Sequence, residues 1–289
     1  MTAASATPGF WDWSFNPPLL LALILAVLYR RGDRRTVTSP RRRSEQRWMS
    51  LCFYAALAVL VIALSSPIDA LSEKLFWAHM VQHVLLLVVA PPLMVVARPW
   101  VRLWRALPLG SRRSLGRSFG LGERMAPIRW VSRALGSPVP TFVLFSAVLL
   151  AWHLPAMFDA TLRSVPLHAL EHTLFFATAL MFWKQVIDSP PLRSPMASVQ
   201  RVGYLVGAMI VTWGLAVVLA VAPHPLYPSY AHEASRPGGI SALADQQIAA
   251  GIMWVPGSIT FVIVIFVYVH RWLTPAPIRA RSSRLAGEH

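Results

Sequence analysis

The chain is organised as long apolar runs separated by shorter polar stretches, without the alternation expected of strands. Runs of about 20 apolar residues can cross the roughly 30 Å hydrocarbon core of a bilayer as α-helices. The pattern therefore predicts an all-α integral membrane protein with seven transmembrane helices. Their approximate positions are 15–29, 50–66, 75–97, 139–158, 167–187, 202–222 and 245–270.

Tryptophan and proline residues are expected to shape individual spans. The first run is the shortest, and Trp11 and Trp13 before it suit an outer aromatic belt that anchors a marginal helix. Pro91, Pro92 and Pro256 lack backbone donors. We predict kinks at these prolines, with neighbouring helices satisfying the freed carbonyls.

The basic residues define an orientation, because Lys and Arg resist translocation and accumulate in cytoplasmic loops. Segments 30–47, 98–133, 184–201 and the tail from 271 hold 24 of the 27 Lys and Arg residues. We therefore place the N-terminus outside and the C-terminus in the cytoplasm, in a bacterial plasma (inner) membrane. This gives an external segment 1–14, a membrane domain 15–272 with a basic cytoplasmic loop 98–138, and a cytoplasmic tail 273–289.

Composition supports the membrane class and narrows the partners. Hydrophobic residues make up 55% of the chain and charged residues 13%, too few to cover the surface of a soluble protein. The formal charge of +15 could indicate nucleic-acid binding, but the cations lie in inter-helix loops, so we expect no nucleic-acid partner. The single cysteine, Cys52, can form neither an internal disulfide nor a paired-cysteine metal site.

The basic loop 98–138 interleaves aromatic and aliphatic residues with arginines, among them Trp100, Trp104, Ile128, Trp130 and Val131. This composition suits an interfacial helix lying on anionic membrane lipids. A solvated basic loop that only sets topology explains it equally well.

Histidines gather at the outer side of the predicted membrane domain. His79 and His83 lie in the third span, His153 near the outer end of the fourth, and His168 and His172 at the start of the fifth. Two of these pairs have an i, i+4 spacing, which places both rings on one helix face. Ionisable groups within a bilayer are costly enough to indicate function. The five histidines therefore predict a metal or haem site, with a purely structural polar network as the alternative.

Further polar and thioether side chains fall at the same depth. Carboxylates and amides can ligate a metal or orient an imidazole through its second nitrogen, and methionine sulfur is a soft ligand. We assign them auxiliary or supporting roles around the histidines. They are Met80, Gln82, Met157, Glu171, Asp245, Gln246 and Met253.

The chemistry of the residues leaves the bound species open. Imidazole suits zinc, copper and iron, and methionine without cysteine leans towards copper. Histidines on two facing helices could instead hold haem in an electron carrier or a haem-handling protein. No His-Glu-x-x-His, Gly-x-Ser-x-Gly or phosphate-loop motif is present. A membrane zinc hydrolase with Glu171 or Asp245 as base therefore ranks third.

Seven short blocks along the chain resemble the polytopic CtaG-type cytochrome c oxidase assembly factors. They are SPID (66–69), HMVQH (79–83), APPL (90–93), ARP (97–99), WHLPAMFD (152–159), LHALEH (167–172) and DQQIAAGIMWVPGS (245–258).

The resemblance implies a non-enzymatic factor that helps copper reach the buried copper centre of a haem-copper oxidase. Its implied partners are cytochrome c oxidase subunits and an external copper chaperone. The family blocks carry over residue by residue to His79, His83, His153, His168, His172 and Asp245. Copper is accordingly the expected ligand and haem the alternative.

The orientation can be tested with reporter fusions along the chain. We expect fusions after residues 40, 115, 192 and 280 to report a cytoplasmic position, and those after 70, 162 and 235 an external one, because basic loops stay inside. An external reading at 115, within the loop that carries nine basic residues, would refute this orientation.

Overall fold

The computed structural model describes residues 13–36, 42–121, 126–127, 136–191, 193–233 and 236–274, which contain helices and no β-strand. A π-helical turn, Leu85–Val89, joins the fourth helix to the fifth. The helices are α1 (Pro17–Arg34), α2 (Arg43–Ser65), α3 (Pro67–Ser72), α4 (Phe76–Val84), α5 (Ala90–Ala97), α6 (Trp100–Ala106), α7 (Leu109–Leu121), α8 (Pro138–Trp152), α9 (Pro155–Arg163), α10 (Val165–Val186), α11 (Ser198–Val221), α12 (Pro228–Ala231) and α13 (Ala242–Leu273).

Among the described residues, five helical stretches are long and apolar enough to cross a membrane, and α8 with α9 makes a sixth if this bent pair is one span. The five are α2, the stretch Phe76–Ala97, α10, α11 and α13. Helix α1 has 18 residues, but arginines and an aspartate occupy its last two turns and shorten its apolar part. The all-α class and a multi-pass helical architecture are thus confirmed. The count of seven spans and the orientation stay predictions.

The basic loop after Ala97 contains helices α6 and α7 in its described part, where the composition suits an interfacial helix and a solvated loop equally. Whether it lies on a lipid surface stays a prediction. Ile128, Trp130 and Val131 lie outside the described residues, as do Trp11 and the tail from 275.

Prolines begin several of the helices. Pro17, Pro67, Pro138 and Pro155 each stand in the first turn of a helix, where no intrahelical partner is needed for the missing N–H. The Asn16 side chain caps α1, the first of these helices, by accepting a hydrogen bond from the Leu19 N–H at 3.3 Å. Local sequence therefore explains where these helices begin.

The stretch Phe76–Ala97 forms the centre of the bundle, since 67% of its apolar length is buried, against 17–33% for the other four spans. The irregularity predicted at Pro91 takes the form of the π turn just before it. Neither Pro91 nor Pro92 can donate to the carbonyl of Leu87, and the Trp183 indole donates to that oxygen at 2.9 Å. A neighbouring helix thus satisfies the freed carbonyl, as expected. Helix α13 continues through Pro256.

The fourth apolar run, predicted as one span, is broken between α8 and α9, which meet at 71°. Pro155 lacks the N–H that would reach the carbonyl of Ala151 four residues earlier. The Leu154 N–H donates to that carbonyl at 3.1 Å instead and closes the helix with a tighter turn. The break leaves His153 at the end of α8, facing the bundle interior.

An arginine ties α6 to α1 and α2 at the end of the bundle that carries the basic loops. The Arg102 Nε donates to Asp33 Oδ1 at 2.8 Å, and its guanidinium lies 5.1 Å from the centre of the Tyr29 ring. The Gln46 amide donates to the same Asp33 oxygen at 2.7 Å. Because Arg102 is largely buried, this network constrains how α6 packs.

A second arginine joins α10, α11 and α13 at that end. Arg201 donates two hydrogen bonds of 3.0 Å to the carboxylate of Asp188 and one of 2.9 Å to the Tyr268 hydroxyl. Burial acts to raise the pKa of Asp188, but the hydrogen bonds from Arg201 and the Ser194 N–H, together with the charges of Arg201 and Arg193, outweigh it and hold that pKa below its ordinary value.

Gly32 allows the closest approach between α1 and α6. A Cβ there would lie 1.8 Å from the backbone oxygen of Arg102, which only separation of the two helices could relieve. We expect Gly32→Ala to destabilise the protein by about 1–3 kcal/mol, as overpacking does. Thermal unfolding in detergent measures the effect.

Gly203→Ala in α11 is the matched control, since nothing lies within 4 Å of its added Cβ. It should be neutral or stabilising, because alanine is the better helix former. Equal melting temperatures for the two variants would contradict the close packing of α1 on α6.

Candidate metal centre

The fold brings all five predicted histidines into one buried cluster. The His79 and His83 rings on α4 lie 4.4 Å apart by their centres, and the His168 and His172 rings on α10 lie 4.2 Å apart. Across the two helices, the centres of the His79 and His168 rings are 5.1 Å apart. His153 approaches His83 from the break after α8, at 5.6 Å. The two rings of each pair therefore lie side by side, as their i, i+4 spacing predicts.

Glu171 lies between the histidines with no exposed surface. One carboxylate oxygen, Oε2, is 3.7 Å from His79 Nε2, and the other, Oε1, is 3.5 Å from His83 Nε2. Both distances exceed an ordinary hydrogen bond. The neighbouring Thr161 hydroxyl is committed to the carbonyl of Phe158 at 2.7 Å. Neither carboxylate oxygen has a hydrogen-bond partner among the described residues.

Four of these residues could hold one metal ion. His79, His168, Glu171 and His172 each offer a ligand atom, and the four atoms lie within 4.8 Å of one another. His83 and His153 lie beside this group and line a cavity of about 30 Å³ together with Met253. The cluster thus has an outer group of four residues and an inner pair next to a small cavity.

For His79 and His153, a hydrogen bond made by one ring nitrogen determines that the other nitrogen faces the site. Tyr230 donates its single hydroxyl proton to the carbonyl of Ser72, so its oxygen accepts from His79 Nδ1 at 3.1 Å. His153 Nδ1 donates to the carbonyl of Leu149 at 2.7 Å. In both rings the proton sits on Nδ1, and Nε2 presents a lone pair. Burial raises the pKa of Tyr230 well above its ordinary value, so the phenol stays neutral.

The nitrogens that face the site lack hydrogen-bond partners within the described chain. Buried native polar groups are nearly always paired, so several unpaired ones in one place call for an explanation. The unpaired atoms are His79 Nε2, both ring nitrogens of His83, His153 Nε2, His168 Nε2 and His172 Nε2. Together with the two Glu171 oxygens, they fit the requirements of a bound cation.

Aromatic rings enclose the inner side of the cluster. Phe158 lies 4.8 Å from the His79 ring, and Phe175 lies 4.6 Å from the His83 ring, measured between centres. Both phenylalanines are fully buried. They limit access of water and lower the local dielectric, which strengthens electrostatic interactions at the site.

Sequence reasoning did not assign a role to Tyr230, Phe158 or Phe175. Phe158 lies in a block quoted for the family resemblance, so the sequence did hold a signal for this residue. Tyr230 is 151 residues from His79 in the chain, and no spacing pattern connects them.

Three predicted auxiliary residues make structural contacts away from the ring nitrogens. Asp245 accepts from the N–H groups of Phe76 and Trp77 at 3.0 and 2.9 Å, which caps α4. Gln246 accepts from the Leu226 N–H at 2.7 Å and donates to the Leu219 carbonyl at 2.9 Å.

The third of these residues, Gln82, faces α2 and α3. It donates to the Ala63 carbonyl at 2.7 Å and to the Asp69 carboxylate at 2.9 Å. Burial raises the pKa of Asp69, although this hydrogen bond opposes the shift. All three residues hold the helices that carry the histidines in position.

Two of the predicted methionines, Met80 and Met253, lie in one buried apolar cluster with Phe76 and Leu219. Met253 also lines the cavity beside His83 and His153, whereas Met80 does not. Met157 is exposed on α9. Met253 is thus the methionine whose position best suits a ligand at the inner pair.

The helices and the buried cluster define a class: multi-pass helical membrane proteins with a histidine and carboxylate centre inside the bundle. The sequence model of the cytochrome c oxidase caa3 assembly factors (Caa3_CtaG) matches residues 25–274. The chain belongs to this family.

Curated relatives come from mycobacteria. The chain is 25% identical over 272 residues to the uncharacterized protein Mb0105 of Mycobacterium bovis and to the uncharacterized protein MT0111 of Mycobacterium tuberculosis, which covers 90% of this chain. It is 23% identical to the uncharacterized protein ML1998 of Mycobacterium leprae over 91% of this chain. The matches span 39–40% of those proteins' own length. No solved structure gives a significant match.

The contacts predict opposite effects for two substitutions near the cluster. Asp245→Ala strands two buried N–H groups and should destabilise the protein by about 1–3 kcal/mol per group. His83→Leu removes two unpaired nitrogens and should leave stability unchanged or raise it. Thermal unfolding of the metal-free protein in detergent compares the two.

Glu73→Ala, which removes an exposed carboxylate just after α3, is the control and should be close to neutral. If His83→Leu loses as much stability as Asp245→Ala, His83 is a packing residue and not a free ligand.

Proposed function

We propose that this protein is a non-enzymatic assembly factor that binds copper transiently at the histidine cluster and delivers it to the copper centre of a haem-copper cytochrome c oxidase. Copper is cargo here and not a resident cofactor. One observation carries the proposal: several buried nitrogen and carboxylate ligand atoms converge without hydrogen-bond partners among the described residues. The family's role in oxidase assembly supplies the context.

The donor set favours copper over harder cations. Imidazole nitrogens dominate the cluster, and the Met253 thioether lies beside the inner pair. Calcium and magnesium seek cages rich in oxygen, whereas Glu171 is the one carboxylate in the group of four. Methionine especially favours Cu(I). Cys52 is buried in a different cluster with Tyr29 and Phe53, so thiolate ligation does not compete.

Delivery requires that the protein release the ion again. The candidate ligands come from α4, from the break after α8 and from α10, so small movements of these helices would change the coordination. A closed four-ligand site on one rigid element would retain the metal. Ligands on separate helices suit transient binding.

The proposed topology keeps seven spans, with α1 as the first, the N-terminus outside and the C-terminus in the cytoplasm of a bacterial plasma membrane. The Asn16 amide donates to the carbonyl of Leu64, so α1 begins beside the end of α2. The histidine cluster lies towards the end opposite Arg102 and Arg201. This orientation would give an external copper chaperone and the oxidase subunits access from the outer side, with the arginines beside cytoplasmic lipid headgroups.

The geometry favours small metal ions over the haem alternative. The histidine rings lie 4–6 Å apart by their centres, and the adjoining cavity has a volume of about 30 Å³. A porphyrin between two of these rings would have to separate the helices. The zinc hydrolase alternative is weaker still, because Phe158 and Phe175 fill the space that a substrate would need.

Copper delivery can be tested in a strain that lacks this protein. We expect its oxidase to retain haem but to contain too little copper, with partial recovery when copper is added in excess. A gene carrying His79→Leu with His168→Leu should not complement the strain, whereas Gly203→Ala should. The copper-to-haem ratio of the purified oxidase is the measurement.

A normal ratio together with normal activity would reject the copper role. A parallel loss of haem would instead favour haem handling.

A further inference from the structure

The cluster divides around Glu171, and this division has a mechanistic meaning. We propose that Glu171 bridges two copper positions: an outer one formed with His79, His168 and His172, and an inner one formed with His83, His153 and Met253. Copper arrives at the outer position and moves to the inner one before release. This inference rests on the proposed copper-handling function and adds a second site and a direction to it.

The two oxygens of Glu171 point to different histidines. Oε2 faces His79 Nε2 at 3.7 Å and Oε1 faces His83 Nε2 at 3.5 Å. These separations are too long for hydrogen bonds. They match a nitrogen and an oxygen that share one ion, because metal bonds of about 2.0–2.2 Å to each atom span such a gap at an angle of about 120°. Each oxygen therefore marks its own ion position.

The inner position has ligands and space of its own. Both ring nitrogens of His83 and the Nε2 of His153 lack hydrogen-bond partners within the described chain. The two residues line one side of a cavity of about 30 Å³ whose remaining walls are mostly apolar, and this volume exceeds what one small ion or water requires. Met253 lines the same cavity and is almost fully buried. Two imidazoles and a thioether form a soft set that suits Cu(I).

The exposure of the histidines indicates the direction in which the copper ion moves. Among the five histidines, His168 is the one with intermediate exposure, whereas the other four are buried. An ion from outside the bundle therefore meets His168 first.

Glu171 explains how an ion could pass inwards without being released. Carboxylates bridge paired metal ions about 3.5–4 Å apart in two-metal sites. An ion that exchanges His79 for His83 can stay bound to Glu171 throughout. The step is a series of ligand exchanges: the bonds to His79, His168 and His172 break as bonds to His83, His153 and the Met253 sulfur form, and the oxidation state of copper does not change.

The test is an anaerobic titration of the purified full chain in detergent with Cu(I), buffered by a chromophoric chelator. We expect two equivalents to bind. His153→Leu should lose one of them and retain the other, and His168→Leu should retain the inner one. Glu171→Gln should weaken both by at least about tenfold.

Met253→Leu provides a second variant that conserves volume and should fold normally. X-ray absorption should show a sulfur ligand in the wild-type protein loaded with two equivalents, and none in Met253→Leu. Met80→Leu, which alters a fully buried methionine in the apolar cluster, is the control and should retain the sulfur signal.

Binding of one equivalent that His153→Leu leaves unchanged would overturn the second position while the proposed function stands. Loss of both equivalents in His153→Leu and in His168→Leu would also overturn it, since the cluster would then act as one site. Absence of any Cu(I) binding to the folded wild-type protein would overturn the proposed function itself.

Discussion

Unpaired nitrogen and oxygen atoms buried at the centre of an apolar bundle are the constraint around which this protein is organised. Each buried polar group without a partner destabilises a fold by about 1–3 kcal/mol, and the histidine and glutamate cluster concentrates eight such atoms in the described chain. A bound cation removes most of that penalty, since each imidazole offers one nitrogen lone pair and both Glu171 oxygens can act as ligands. The metal-free fold must therefore be held together by contacts outside the cluster.

Those supporting contacts reach the cluster from distant parts of the sequence. Asp245 caps α4 from 169 residues away, and Tyr230 orients the His79 ring from 151 residues away. The carbonyl of Leu149 holds His153 from within its own helix. Because each support fixes a helix end or a ring, the ligand atoms keep their positions although they lack partners of their own. Such preorganisation lowers the reorganisation needed when an ion binds.

Two departures from regular helix geometry also serve the cluster. The π turn begins two residues after His83, and π turns in helices are frequent at functional sites. The 71° break between α8 and α9 places His153 at a helix end and brings Phe158 over the histidine rings. Pro91 and Pro155 account for the absent backbone donors. The Trp183 indole and the Leu154 N–H satisfy the carbonyls that these prolines leave free.

The sequence by itself determined the class of the fold, the approximate positions of most of the long helices and the identity of the clustered histidines. Apolar runs define membrane helices because a bilayer satisfies no backbone groups, and an i, i+4 spacing fixes two rings on one face regardless of the rest of the fold. The runs at 75–97, 167–187 and 202–222 agree closely with the helical stretches Phe76–Ala97, Val165–Val186 and Ser198–Val221. The quoted blocks likewise identified the family that the match over residues 25–274 confirms.

Only the tertiary structure decided which polar residues face the histidines and which support the helices around them. Depth along a span places Glu171, Asp245 and Gln82 at similar levels, but depth does not say which way a side chain faces. Packing turned Glu171 towards the histidines, Asp245 towards the start of α4 and Gln82 towards α2 and α3. The break in the fourth run and the role of Tyr230 were equally beyond the sequence. They depend on contacts between residues far apart in the chain, and no local pattern encodes such contacts.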